Sequence, residues 1–401
     1  MISIFRLCLY VFALTQMLVV AGGAPALAED SKPITMGVLL PLTGFGAPVA
    51  EAGRIGIELA VKELNEAGGI DGRQINIVIA DDQSDASIAV NEVKRLVHQA
   101  GIDVLIGSAV SQNNLAILPV LNEAKIPSIS LSGAQTLTTE AGPYHFSLFV
   151  NAEFQSIAMV DYAKNVLKAR SAAVIADAGA QGKFAAEALK RDMEAAGIRH
   201  TGTQEYAYRA TDLTPQLLSL KRGDPETLFV FPSTGEDAGT ILKTLEDIGW
   251  EVNVTGNWSM SGLAGPILQI AGPEAFKHTT GLNYTAFTYC PNTAASTPYE
   301  EFVKRAQDFA GDRFSRVSQN LAAIFYESVM VYDAAVRGSD GNLSGPTIAK
   351  WIETNISNYS GMFDDLVASP TNHFLAGPRT LTAVHPDRQR SGGMFERIDC
   401  Q

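Results

Sequence analysis

Apolar positions along the chain fall into two spacings that replace one another repeatedly. Ile34 to Leu40 is a short, nearly continuous apolar run, and Pro41-Leu42-Thr43-Gly44 breaks it; this is the pattern of a buried strand and its loop. From Val49 to Asn65 the apolar residues step by three and four (Val49, Ala52, Ile55, Leu59), which predicts a helix, and Gly68-Gly69 stops it. Gln74 to Ala80 is the next strand. Ala86 to Ala100 is helical, with Val90, Val93, Leu96 and Val97 on one face. Asp103 to Ile106 is a strand with the loop Gly107 to Gln112, Ala116 to Ala124 a helix, and Pro127 to Leu131 a strand. Strands and helices in strict alternation predict a parallel sheet covered by helices on both faces.

The alternation then starts again. Phe146 to Val150 leads into a helix over Phe154 to Leu167, near Asn151. Strands follow at Ala172 to Ala176, Thr201 to Tyr206, Thr227 to Phe231 and Val252 to Thr255. Helices separate them at Lys183 to Ala196, Leu213 to Lys221 and Asp237 to Ile248. Beyond Gly281 the pattern loosens. Pro298 to Phe309 and Ser318 to Val336 are helical, and Arg379 to Val384 and Gly392 to Ile398 look like strands.

The chain has 401 residues, enough for two or three domains. Its hydrophobic share of 46% and charged share of 18% are those of a folded protein rather than a disordered one. A formal charge of −13, with no run of Lys and Arg, argues against binding a nucleic-acid backbone. Residues 1–28 have the form of a cleaved secretory signal peptide. Arg6 precedes an apolar run from Leu7 to Ala21, and Ala26-Leu27-Ala28 is an A-x-A cleavage signal. No other stretch is long and apolar enough to span a bilayer. The expectation is an exported protein, located in the periplasm. Cys290 and Cys400 then remain; spacing alone leaves open whether they pair.

Much familiar chemistry is missing from the pattern. The six His do not stand at metal-ligand spacing, so no metal is expected. No G-x-S-x-G elbow occurs. Gly44-Phe45-Gly46-Ala47-Pro48-Val49 approaches a dinucleotide fingerprint but ends in Val49, and the acids at Asp81 and Asp82 lie too far on, so no cofactor is expected.

Several stretches together resemble the periplasmic branched-chain amino-acid-binding family, typified by the leucine/isoleucine/valine-binding protein. They are Gly37-Val38-Leu39-Leu40-Pro41-Leu42-Thr43-Gly44, Gly53-Arg54-Ile55-Gly56-Ile57-Glu58-Leu59-Ala60, and Asn65-Glu66-Ala67-Gly68-Gly69-Ile70-Asp71-Gly72. Asp81-Asp82-Gln83-Ser84-Asp85, Ile106-Gly107-Ser108 and Pro127-Ser128-Ile129-Ser130 continue the series, and order and spacing hold from about residue 34 to 336. The resemblance implies an α/β protein of two Rossmann-like lobes, the type I periplasmic binding fold, joined by a three-crossing hinge. The lobes are then 29–150 with about 284–355, and 151–283 with about 356–401. A ligand would lie in the crevice outside the strand carboxyl ends, where open α/β sheets bind ligands.

The resemblance also implies site residues. The loops after the third and fourth strands hold a ligand carboxylate in the family. Here they offer Ser111 and Gln112, then Ala134, Gln135 and Thr136. Both loops precede helices, whose N-terminal amides favour an anion. Helix capping alone also accounts for such Ser and Thr residues. Thr43 and Phe45 come from the loop after the first strand, and Phe149 from the hinge. The second lobe departs from the family. Trp258 stands where a glutamate pairs with the ligand ammonium, Gln181 stands for one tyrosine, and Ser233-Thr234 for another. Either the ligand lacks an α-amino group and stacks on Trp258 and Phe149, or Asp177, Glu236 or Asp237 has taken over the ammonium. Trp258 as a core or hinge packing residue is the plainer alternative.

The function expected is therefore a monomeric solute-binding protein that hands a small carboxylate or amino acid to an ABC import permease. A sensor of the same fold and an exported α/β enzyme are the other classes. No nucleophile–base pair at usable spacing supports the enzyme.

Overall fold

The computed structural model describes residues 32–292, 297–363, 365–377, 379–390 and 392–400. The leader expected over 1–28 lies outside the described residues. The first alternation folds as β1 (Ile34–Leu40), α1 (Ala47–Glu66), β2 (Ile75–Asp81), α2 (Ala86–Arg95), β3 (Val104–Gly107), α3 (Ser111–Ala124), β4 (Ser128–Ser130) and β5 (His145–Ser147). A π-helical turn, Leu96–Ala100, continues α2 to the expected end. The five strands form one sheet in the order β2-β1-β3-β4-β5, and every neighbouring pair is parallel. Each strand but β2 is buried almost throughout, as the two-sided cover of a parallel sheet requires.

The second alternation gives α4 (Ala152–Asn165), β6 (Ser171–Asp177), α5 (Ala180–Ala196), β7 (Arg199–Tyr206), α6 (Thr214–Lys221), β8 (Thr227–Phe231), α7 (Gly235–Asp247) and β9 (Asn253–Gly256). Then come α8 (Ser259–Gly262), α9 (Ala264–Ala271), β10 (Thr279–Tyr284), β11 (Thr288–Tyr289), α10 (Thr297–Ala310), α11 (Asp312–Ser315), α12 (Gln319–Arg337), α13 (Gly345–Asn355), β12 (Leu381–Arg390) and β13 (Met394–Arg397). The second sheet runs β11-β13-β12-β10-β9-β8-β6-β7. It is parallel from β10 to β7, and β12 lies antiparallel to both β10 and β13.

The chain crosses between the sheets three times. β5 leads into α4; the segment after β11 returns to α12; the segment before β12 leaves the first sheet, where Phe374 bridges Ser147. Helix α12 belongs to the first lobe because it packs on α1. A Cβ on Gly56 would lie 2.1 Å from the Ala322 carbonyl oxygen, so glycine alone lets the two backbones touch there. Tyr284 ties the hinge: its hydroxyl accepts from Val150 N at 3.0 Å and donates to Leu148 O at 3.2 Å.

Two differences from the sequence pattern matter for the site. Helix α3 begins at Ser111, before the first expected residue Ala116, because its opening turn is polar and held by side chains. Asn114 Nδ2 donates to Ser108 O at 2.9 Å, and its Oδ1 accepts from Ser108 N at 3.0 Å. The elements α8, α9, β10 and α13 lie outside the expected set, β10 being Thr-Thr-Gly-Leu-Asn-Tyr, without alternation. Cys290 and Cys400 form a disulfide, with Cα atoms 5.4 Å apart and 110 residues between them in sequence.

Candidate functional site

The strand carboxyl ends of both sheets open onto one cleft. On the first-lobe side the Asp81-Asp82-Gln83-Ser84-Asp85 stretch is a set of clamps. Asp81 accepts from Thr43 N and Oγ1, at 3.2 and 2.8 Å. Buried Asp82 accepts from Ser108 Oγ at 2.5 Å and Ser84 N at 2.8 Å. Ser84 Oγ accepts from Gly46 N at 2.9 Å, and Asp85 caps α2. Burial pushes Asp82 above the usual carboxylate range, and the Ser108 hydroxyl opposes it. These bonds fix the loops after β1 and β3 against each other.

Ser111 is the first residue of α3, so its amide and that of Gln112 have no partner inside the helix. Ser132 Oγ donates to Ser111 Oγ at 2.9 Å, which leaves the Ser111 proton free to turn toward the cleft. Ser147 Oγ donates in turn to Ser132 O at 2.7 Å.

On the second-lobe side Asp177 ends β6 and is fully buried. It accepts from Ser233 Oγ at 2.7 Å and Gly179 N at 2.8 Å, and burial raises its carboxyl against these bonds. Thr234 caps α7 by accepting from Asp237 N at 3.1 Å. Asp237 Oδ1 accepts from Arg209 N at 2.9 Å, while its buried Oδ2 has no partner. Burial pushes Asp237 up to about 6. Trp258 follows β9 and is 2% exposed. Its backbone N–H donates to Gln155 Oε1 at 2.9 Å, Phe149 meets its ring edge-on at 5.1 Å and 83°, and Gly262 packs against the ring.

The lobes meet. Phe45 of the first stacks on Tyr208 of the second, with ring centroids 4.5 Å apart and 15° between planes. A Cβ on Gly133 would lie 2.2 Å from Gln181 Nε2 and 2.8 Å from Val150 O, so the approach there requires glycine. Between these contacts lies a cavity of about 80 Å³, smaller than the roughly 150 Å³ that admits benzene.

The cavity brings together Phe45, Ser111, Phe149, Gln181, Ser233, Thr234 and Trp258 from the expected set. It leaves the others aside. Thr43 is exposed and engaged with Asp81; Gln112 is half-buried beyond the lining; Asp177 lies behind Ser233. Ala134 is buried in a small apolar cluster with Leu118, Leu137 and Phe374, and Gln135 and exposed Thr136 follow it away from the cavity. The second loop thus reaches the site through Ser132. Tyr208 was not expected: it follows the edge strand β7, and the only signal is Tyr206-Ala207-Tyr208, tyrosines two apart at a strand end. Of the acids named as substitutes for the missing glutamate, Glu236 alone lines the cavity.

The sequence profile of the periplasmic binding protein family matches residues 33–389. The chain belongs to that family. Its fold is the type I fold of two α/β lobes, and the family is one of extracytoplasmic binding proteins rather than enzymes. An amino acid binding protein of Pseudomonas aeruginosa is 27% identical over 54% of this chain and 58% of its own length. Leu/Ile/Val-binding protein homolog 3 of Brucella melitensis is 27% identical over 57% of this chain and 62% of its own. The matched stretch therefore spans less than two thirds of either relative. The branched-chain amino acid transporter substrate binding protein LivJ of Streptococcus pneumoniae, solved with isoleucine, superposes with a TM-score of 0.73 at 20% identity. That superposition covers 90% of this chain and 97% of LivJ. Among the described residues no helix is long and apolar enough to cross a membrane, and no group of acidic, His or Cys side chains could hold a metal ion.

Proposed function

We propose that this periplasmic binding protein traps a small carboxylate-bearing solute between its lobes and delivers it to an ABC import permease. The observation that carries the reading is Ser111. It combines the free amides of a helix start with a hydroxyl oriented by Ser132, at the wall of a cavity shared by both lobes. Closure of two lobes around a polar ligand excludes water and strengthens each polar contact. In the same reading the chain acts as a monomer in the periplasm after loss of residues 1–28. The bridge of Phe374 to Ser147 of the first sheet, followed by β12 of the second from Leu381, supports a last crossing between 374 and 381 in this reading.

A thermal-shift screen tests the function. Amino acids are paired with matched carboxylates lacking the amine, aliphatic and aromatic, since a ligand of the native state raises the melting temperature. A shift with any carboxylate that disappears in Ser111→Ala supports the reading; no shift with any of them rejects it. An amino-acid ligand is the second reading, favoured by the names of the relatives and by Glu236 at the cavity.

A further inference from the structure

The second-lobe wall carries donors that nothing among the described residues answers. The indole N–H of Trp258 and the side-chain amide nitrogen of Gln181 are both buried without a hydrogen-bond partner, and both residues line the cavity. Buried polar groups are nearly always paired, because an unmet donor bears its full desolvation cost. Two unmet donors at one cavity mark a place where a ligand atom completes the bonding. The nearby buried acids do not supply it. Asp177 spends its oxygens on Ser233 and Gly179; Asp237 turns one oxygen to Arg209, and its other, though unpartnered, belongs to a residue that does not line the cavity.

The two donors also say what kind of atom fits. An ammonium has only protons to give. Placed here, it would leave both N–H groups unmet and set a positive charge beside them. A carbonyl oxygen has two lone pairs and accepts two bonds, and a hydroxyl oxygen accepts as well. We infer that the solute presents an oxygen acceptor, not an ammonium, to Trp258 and Gln181, which makes it a short-chain oxo- or hydroxy-acid. The inference rests on the carboxylate being held at Ser111, and it names what the other end of the ligand must be. The cavity of about 80 Å³ sets the short chain. Glu236, half-buried in the first turn of α7 and lining the same cavity, is the group that would serve an amino acid instead.

Titration calorimetry on the purified protein decides between them. The probes are matched sets differing only at the carbon beside the carboxylate: pyruvate, lactate and alanine; 3-methyl-2-oxobutanoate and valine; 4-methyl-2-oxopentanoate and leucine. In at least one set the oxo- or hydroxy-acid is expected to bind about tenfold or more tightly than its amino acid. Trp258→Phe keeps the ring and removes the N–H, and Gln181→Leu removes the amide. Each is expected to weaken the preferred acid about tenfold, the size of one lost hydrogen bond, and the amino acid much less. An amino acid that binds the tighter of its set, and loses that advantage in Glu236→Gln, overturns this inference and leaves the carboxylate reading standing. No binding by any probe overturns the carboxylate reading and this inference with it.

Discussion

On the first-lobe wall of the cleft the polar side chains hold one another: Asp82 with Ser108 and Ser84, Asn114 with Ser108, Ser132 with Ser111. On the second-lobe wall Trp258 Nε1 and Gln181 Nε2 are buried without partners. At the cavity itself the Ser111 hydroxyl of the first wall is already paired with Ser132, whereas the Trp258 and Gln181 nitrogens facing it across the cleft are not. In the proposed reading the first wall places the ligand and the second selects it.

The largest expected effect tests whether Trp258 is wall or frame. Trp258→Ala removes a side chain packed on Gly262 and Phe149, and should cost about 3–5 kcal/mol in urea unfolding. A cost under about 1 kcal/mol would mean the ring serves the ligand alone. Next, the walls should respond in opposite directions. Asp82→Ala strips the acceptor from Ser108 Oγ and Ser84 N, and should destabilise by about 2–3 kcal/mol in the same assay. Gln181→Leu removes an unmet donor and should be neutral or stabilising. Equal losses in both would end the contrast between the walls.

Two smaller effects sharpen it. Ser111→Ala should weaken ligand affinity about tenfold, with stability changed by less than about 0.5 kcal/mol. A large loss of stability would make Ser111 a structural residue. The last effect is in pH. Asp237 has a carboxyl raised from 3.8 to about 6. Between those values the unfolded chain has released the proton and the folded chain still holds it. Stability therefore falls as pH rises through that window, by an amount of order 1 kcal/mol after screening. Asp237→Asn stays neutral throughout, so melting temperatures across the window should fall less steeply in the variant than in the parent. The remaining slope belongs to other buried carboxyls that are also raised, Glu327, Asp82 and Asp177 among them.

The same contrast governs what could be read from the chain. First-lobe elements stand out because both-side burial gives unbroken apolar runs, and the clamps are short local stretches: Asp81 to Asp85 serve Thr43, Gly46 and Ser108. Ser111 was named from the resemblance of its loop to the family, and the structure puts it in the cavity lining. The place of the Ala134 to Thr136 loop was not legible, because a residue that follows a strand into the cleft looks the same in sequence as one that turns into an apolar cluster. The partners of Tyr208 and Trp258 come from elements remote in the chain, Phe45 and Phe149 among them, and no local pattern announces a stack across two lobes. The strand β10 was missed because its order is set by its neighbours β9 and β12, not by its own alternation.

The eight-stranded sheet has one more consequence, in time rather than space. Its β12 must seat between β10 and β13, and Cys400 meets Cys290 across 110 residues of chain. A polypeptide that emerges N-terminus first therefore delivers the first sheet whole, while the second waits for nearly the last residue. Until β12 is made the edge of β10 stays open. The second lobe is the last to be completed, and loss of residues 390–401 would take β13 and Cys400 from it while leaving the other lobe every strand it needs.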